Sequence, residues 1–149
     1  MRQRQRPLRV SSNTAYKGSI PHRISIDDRP TIVDEKNRIG DGEVDLMMGG
    51  HGGGGLLTLV GRKTRFTRME PVLSKHADHV ADVLIRALSE IKGQVYTLTM
   101  DNGNEFPQHE RVAKALQAKV YFAHPYFPKG THFKTITQAK IRRAENRLN

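Results

Sequence analysis

Hydrophobic and polar positions follow two different periods along the middle of the chain, between residues 30 and 126. Short apolar runs of strand-like period predict β-strands, and two longer stretches of helical period predict α-helices. The predicted strands are 43–48, 56–60, 64–72, 95–100 and 119–122, and the predicted helices are 74–91 and 110–117. This order predicts an α/β fold with a mixed sheet, in which three antiparallel strands precede parallel strands joined by crossover helices.

A glycine-rich stretch at 49–55 separates the first two predicted strands. Residues 50–55 fit the G-x-G-x-x-G pattern of dinucleotide-binding loops, but that pattern requires a helix directly after the loop. Leu56 instead begins an apolar, strand-like run. We therefore expect a flexible hairpin turn at this position.

Charge adds a prediction about the partner. The 149 residues suffice for one domain with a core, and 25 Lys and Arg against 15 Asp and Glu give a net charge of +10. This excess favours a polyanionic partner, most simply DNA, although a ribosome-associated or merely basic protein has a similar composition. The chain has no Cys, which excludes disulfides and thiolate metal sites.

The sequence contains no membrane or secretion signal. No apolar run approaches the ~20 residues that span a bilayer. The basic start of the chain, residues 1–6, is not followed by the apolar stretch of a secretory signal. We expect a cytoplasmic location and no membrane partner.

Positive charge is concentrated at both ends of the chain. We expect a basic N-terminal arm at 1–29, a core at 30–126 and a basic C-terminal helical remnant at 127–149. Runs of Arg and Lys are often only solvated, but here they match a polyanionic partner. The cations expected to bind nucleic acid are Arg2, Arg4, Arg6, Arg9, Lys17, Arg23, Lys129, Arg142 and Arg143.

Two acidic residues lie in or at the end of apolar strand-like runs. Asp45 lies in the first predicted strand, and Asp101 directly follows the fourth. A charge in such a segment is costly unless a partner or a metal compensates it. Two carboxylates on neighbouring strands form a site for a hard divalent cation, Mg²⁺ or Mn²⁺.

Several other polar residues are weaker candidates for a functional role. His76, His79 and Asp82 share one helix face, which permits metal binding, but a solvated polar face is the favoured interpretation. For Glu105 we favour a surface or helix-start acid. For His124, contact with DNA and a structural role are both open.

Five sequence blocks together resemble bacterial transposases of the insertion-sequence-thirty type. The blocks are IPHRISIDDRP at 20–30, GDGEVD at 40–45, LVGRKTRF at 59–66, DNGNEF at 101–106 and VYFAHPY at 120–126. The resemblance implies an integrase-type core of the Asp-Asp-Glu class with ribonuclease-H-like architecture. In that architecture the first and fourth strands are neighbours. Asp45 and Asp101 match the first two catalytic acids, which the family uses with two Mg²⁺ ions to cleave and join DNA.

The chain departs from the family pattern in two places. Gly42 stands where the family usually has Trp, and Tyr126 runs directly into a block that the family places after a further segment. That segment supplies the third acid, usually 33–35 positions after the second. The residues at that spacing from Asp101 are Lys134, Thr135 and Ile136, and Glu145 lies farther on.

These departures imply an incomplete ribonuclease-H-like core with an internal deletion, which also lacks the family's upstream helix-turn-helix region and C-terminal tail. We expect defective catalysis, at most one weakly held metal ion and an exposed apolar sheet surface. Two alternatives remain open. In the first, the chain is a non-catalytic fragment that binds DNA or forms dimers and so interferes with an intact transposase; its dimer partner is a second copy or that transposase. In the second, the chain is a relic without function.

Overall fold

A computed structural model of the protein describes residues 20–103, 105–124 and 138–139. One mixed sheet with helices on its faces dominates this part of the chain. The strands are β1 (Asp41–Met48), β2 (Gly55–Gly61), β3 (Thr67–Val72), β4 (Thr97–Met100) and β5 (Lys119–Phe122). The α-helices that concern the site are α1 (Thr31–Asp34), α2 (Ala77–Leu88) and α3 (His109–Leu116), with 3-10 turns at Ile26–Asp28 and Ser89–Gln94.

The strands lie in the order β3-β2-β1-β4-β5. β1 and β2 pair antiparallel, as do β2 and β3, whereas β4 pairs parallel with both β1 and β5. The predicted mixed sheet is therefore confirmed, and its first and fourth strands are neighbours. This arrangement is compatible with a ribonuclease-H-like fold.

A glycine turn joins β1 to β2. The Gly49 N–H donates to the Gly54 carbonyl at 2.8 Å, and Gly52 and Gly54 have φ angles of +76° and +74°, a conformation that side chains disfavour. Strand β2 follows directly at Gly55. The predicted hairpin is confirmed, and the dinucleotide-binding alternative lacks the helix that it requires.

The predicted helix at 74–91 has different ends in the structure. α2 begins at Ala77, because the Ser74 hydroxyl accepts a hydrogen bond from the His76 N–H in the preceding turn and does not cap the helix. α2 ends at Leu88, and the chain continues as a tighter 3-10 turn in which Ile91 leaves helical geometry. The prediction of a helix continuing to residue 91 was wrong.

One face of the sheet forms the core with α2 and α3. The apolar positions Val80, Leu84 and Leu88 on α2 are buried, as the helical period predicted. They belong to the same cluster as sheet residues that alternate toward this face: Val44, Leu57, Leu59, Leu98, Met100, Val120 and Phe122.

The segment from Arg29 to Asp34 packs against the opposite face. Buried Arg29 donates to the Thr99 hydroxyl at 2.7 Å and also to Asp34, and Val33 is fully buried. Farther along this face, Met47 and Met69 are 51% and 57% exposed. Exposure of apolar sheet surface through an internal deletion stays a prediction.

Residues 20–28 run along the free edge of β5. Ile20 is buried, Ser25 forms a parallel bridge with Phe122, and the Phe122 N–H donates to the Ile24 carbonyl at 2.9 Å. The predicted boundaries at residues 29 and 126 stay predictions. No helix in the described part of the chain is long and apolar enough to cross a membrane.

Candidate active site

The parallel pairing of β1 with β4 brings Asp45 and Asp101 to the same region of the sheet. Val44 pairs with Met100, so Asp45 follows one partner within β1 and Asp101 follows the other just beyond the end of β4. Both acids are exposed, and neither has an ion-pair partner within the described residues. The structure places the two predicted acids as neighbours, while their catalytic role stays a prediction.

The other acids of the first motif already have partners. Asp41 is buried and accepts hydrogen bonds from Arg38 and from the Thr97 hydroxyl. Glu43 accepts from the Arg62 guanidinium. Asp45 is the acid of this strand that remains available to a ligand.

The carboxyl group of Asp101 lies in surroundings that disfavour its ionised form. Burial of the group raises the pKa of Asp101, although the residue as a whole is exposed, and the neighbouring carboxylates of Asp45 and Glu105 raise this pKa further. The Gly103 N–H donates to Asp101 Oδ1 at 3.0 Å, which partly offsets the rise. A bound cation would relieve the repulsion among these carboxylates.

Glu105 lies closer to this site than the sequence indicated. A Cβ atom added at Gly103 would clash with Glu105 Oε2 and would lie 2.9 Å from Asp101 Oδ1. Both carboxylates therefore crowd the same position. The only sequence signal for this proximity is that the two acids flank a glycine in one short block, which does not distinguish a site acid from a surface acid.

The residues present fit a divalent cation only in part. Carboxylate oxygens are the ligands that Mg²⁺ and Mn²⁺ prefer, and Asp45 and Asp101 supply them from neighbouring strands. No group of three or more His, Cys, Asp or Glu in the described ranges is arranged to hold a metal. The described residues thus supply two carboxylates from neighbouring strands, and the number of ions held there stays a prediction.

Asn102 connects the site to two other parts of the chain. Its Oδ1 accepts a hydrogen bond from Arg23 Nη1 at 2.6 Å, and its Nδ2 donates to the Ala123 carbonyl. Ala123 in turn donates its N–H to the Met100 carbonyl at 2.8 Å. Sequence reasoning did not single out Asn102, because neither partner is near it in the sequence.

His124 has a structural contact beside this network. Its Nε2 lies 2.6 Å from Asp27 Oδ2, and the Ser25 hydroxyl donates to the same carboxylate oxygen at 3.1 Å. These contacts join the end of β5 to the N-terminal segment. Of the two alternatives for His124, the structure supports the structural one.

Most predicted nucleic-acid contacts cannot be placed. Arg23 is exposed and engaged with Asn102. The other eight predicted cations lie outside the described residues, as do residues 134–136 and 145. Binding of nucleic acid by all nine cations stays a prediction.

The helix-face alternative for a metal site is not supported. The His79 ring accepts a hydrogen bond from the Leu73 N–H at 3.3 Å, and Asp82 pairs with Arg111. The described residues of this face do not form a metal site. The solvated polar face remains the better interpretation.

Three curated proteins show what the chain resembles as a whole. The transposase for insertion sequence element IS4351 of Bacteroides fragilis is 36% identical over 166 residues, covering 99% of this chain and 51% of that protein. The chain is similar to insertion-sequence transposases. The probable transposase for insertion-like sequence element IS1161 of Streptococcus salivarius is 34% identical over 112 residues, covering 72% of this chain and 31% of the relative.

A third relative is more distant. The transposase for insertion sequence element IS1086 of Cupriavidus metallidurans is 28% identical over 172 residues, covering 98% of this chain and 49% of the relative. The chain thus spans about half the length of two of these transposases and less of the other. No protein-family profile matches the chain.

Proposed function

We propose that the chain is part of the catalytic core of an insertion-sequence-thirty-type transposase of the Asp-Asp-Glu class, which acts on DNA in the cytoplasm. The observation that carries the proposal is the parallel pairing of β1 and β4, which makes Asp45 and Asp101 neighbours. Similarity to the IS4351 transposase over 99% of the chain supports the reaction class.

Asp45 and Asp101 would hold a divalent cation and orient it toward a DNA phosphodiester. Such ions, when bound, stabilise the attacking and leaving oxygens of an in-line displacement. The rigid sheet fixes Asp45 within a strand, while Asp101 lies just beyond the end of β4. The net charge of +10 would attract the DNA backbone to this protein.

We further propose that this copy is catalytically defective because it lacks a third acid. The alignment with the IS4351 transposase extends over 166 positions, whereas this chain has 149 residues. That relative therefore has residues that this chain lacks, which supports an internal deletion. Loss of one metal-holding role costs several kcal/mol of transition-state stabilisation, and each ~1.4 kcal/mol slows the reaction tenfold.

A cleavage assay tests this proposal. The purified chain is mixed with labelled duplex DNA at ~50 mM salt, and binding is followed by mobility shift and cleavage by denaturing electrophoresis with Mg²⁺ or Mn²⁺. We expect binding with little or no cleavage. Absence of binding would contradict a DNA-directed role, and robust strand transfer would contradict the proposed defect.

A second candidate is a non-catalytic fragment that interferes with an intact transposase. The observation that favours it is the pair of exposed apolar side chains on the sheet face opposite the core, Met47 of β1 and Met69 of β3. Exposed apolar patches mark sites of association or aggregation. Size-exclusion chromatography distinguishes specific association from aggregation. Association of the chain with itself or with a relative predicts a discrete oligomer, whereas aggregated protein elutes in the void volume.

A further inference from the structure

Asp101 lies at a point where the sheet no longer holds the backbone. β4 ends at Met100, which pairs with Val44 on β1 and with Phe122 on β5. Beyond these pairs, repulsion from Asp45 and Glu105 acts on the Asp101 carboxylate. If Asp101 is to bind a cation together with Asp45, another interaction must therefore hold its backbone in place.

The Asn102 side chain provides this interaction through two hydrogen bonds. Its amide oxygen accepts from Arg23 on the N-terminal segment, and its amide nitrogen donates to the Ala123 carbonyl after β5. One partly buried side chain thus ties the residue after Asp101 to two separate segments. Both hydrogen-bonding ends of the amide are used, which a carboxylate or an aliphatic side chain could not reproduce.

We propose that Asn102, clamped by Arg23 and Ala123, is a positioning residue that holds Asp101 in reach of the cation shared with Asp45. This inference rests on the metal site proposed above. Asn102 does not itself bind the ion. It acts through the backbone of its neighbour, so that the N-terminal segment becomes part of the support of the site.

Arg23 has a specific role in this arrangement. The bond from its guanidinium to the amide oxygen is short, at 2.6 Å, and a charged donor strengthens such a bond. Lys at this position would keep the charge and could donate one hydrogen bond, whereas Ala would remove both.

The test compares Mn²⁺ affinity and thermal unfolding in the intact chain. The variants are Asn102→Ala, Asn102→Asp, Arg23→Ala and Arg23→Lys, with Asn37→Ala as a matched control, because Asn37 is exposed in the turn after α1. Mn²⁺ binding is followed by the paramagnetic relaxation of water protons. Groups that orient metal ligands typically contribute 10–100-fold to metal affinity.

We expect Asn102→Ala and Asn102→Asp to weaken Mn²⁺ binding about tenfold. Arg23→Ala should weaken it less, Arg23→Lys should restore most of the loss, and Asn37→Ala should bind like the parent. The unfolding temperature without metal should change little in the Arg23 variants, which separates positioning from general stability. If Asn102→Ala fails to fold, the Arg23 pair still provides the comparison.

Equal Mn²⁺ affinity in the parent, Asn102→Ala and Arg23→Ala would overturn the inference. If the parent binds Mn²⁺ and binding is lost in both Asp45→Asn and Asp101→Asn but is unchanged in the Asn102 and Arg23 variants, the metal site stands and the positioning role falls. If the parent itself binds no Mn²⁺, the metal site proposed above falls, and this inference falls with it.

Discussion

At the scale of single residues, the carboxyl group of Asp101 links stability to function. Its raised pKa means that the folded state binds the proton more tightly than the unfolded state does. Stability therefore falls as pH rises from the usual pKa of an aspartate through the raised pKa of the folded state. Above that interval the ionised group opposes folding, as is common where binding sites gather like charges.

The first prediction follows from this sign. Asp101→Asn should raise the unfolding temperature at pH 7 without metal by a few degrees at most, because Asn removes the charge and keeps an oxygen to accept the Gly103 N–H. Below the usual aspartate pKa, where the parent carboxyl is protonated in both states, the gain should vanish. Thermal unfolding across pH 3 to 8 measures it. A variant less stable than the parent at pH 7 would contradict the repulsion.

Residue patterns anticipated the acids but not their support. An acid in a strand-like run is visible as a local anomaly, so Asp45 and Asp101 could be identified from sequence. The contacts of Asn102 depend on how residues 20–28 pack along β5, and no local pattern encodes that packing. For Glu105 the sequence favoured a surface or helix-start acid, because its carboxylate comes close to that of Asp101 only in the folded loop.

At the scale of elements, period and turn chemistry predicted the five strands and their order along the chain, while the adjacency of the first and fourth strands was implied by the family resemblance. The predicted ends of α2 were wrong because Ser74 and Gly93 look like helix signals in sequence. In the structure, Ser74 serves the turn before the helix, and Gly93 lies within the 3-10 turn after it. Local competition of this kind is decided by tertiary packing, which single-residue propensities do not contain.

The β1–β2 hairpin yields a matched prediction. Gly54 has φ +74°, and a Cβ atom there would lie 2.6 Å from the Val72 carbonyl, whereas one at Gly50 would meet nothing within 4 Å. Gly54→Ala should therefore destabilise the protein by about 1–3 kcal/mol, and Gly50→Ala by much less. Urea unfolding of both variants measures the difference. Equal midpoints would show that the turn relaxes freely.

At the scale of the whole molecule, the net charge of +10 predicts salt-sensitive binding of DNA. If most of the nine predicted cations contact phosphates, affinity should fall about 10³-fold or more between 50 and 200 mM salt. Replacing Arg2, Arg4, Arg6 and Arg9 with Ala should flatten the slope of log affinity against log salt by roughly 0.9 for each lost contact. Fluorescence anisotropy at several salt concentrations measures this slope, with Lys92→Ala as the control. An affinity for DNA that does not depend on salt would contradict the electrostatic interpretation.

The proposed deletion makes a separate prediction for the whole chain. Insertion of a segment from a related transposase between residues 126 and 127 should restore solubility and some Mg²⁺-dependent nicking of DNA. The segment would cover the exposed sheet surface, which favours solubility, and would supply a third acid, which favours nicking. The same insertion with Gln in place of that acid should restore solubility alone. Plasmid nicking and solubility are measured together, and equal nicking by both insertions would refute the role of the third acid.

A Mn²⁺ titration tests whether Asp45 and Asp101 bind one cation together. Water-proton relaxation is followed for the parent, Asp45→Asn and Asp101→Asn, with Asp78→Asn as a control on α2. We expect weak binding by the parent and by the control, and its loss in each of the two site variants. Mn²⁺ binding that persists unchanged in both Asp45→Asn and Asp101→Asn would show that these two acids are not the site.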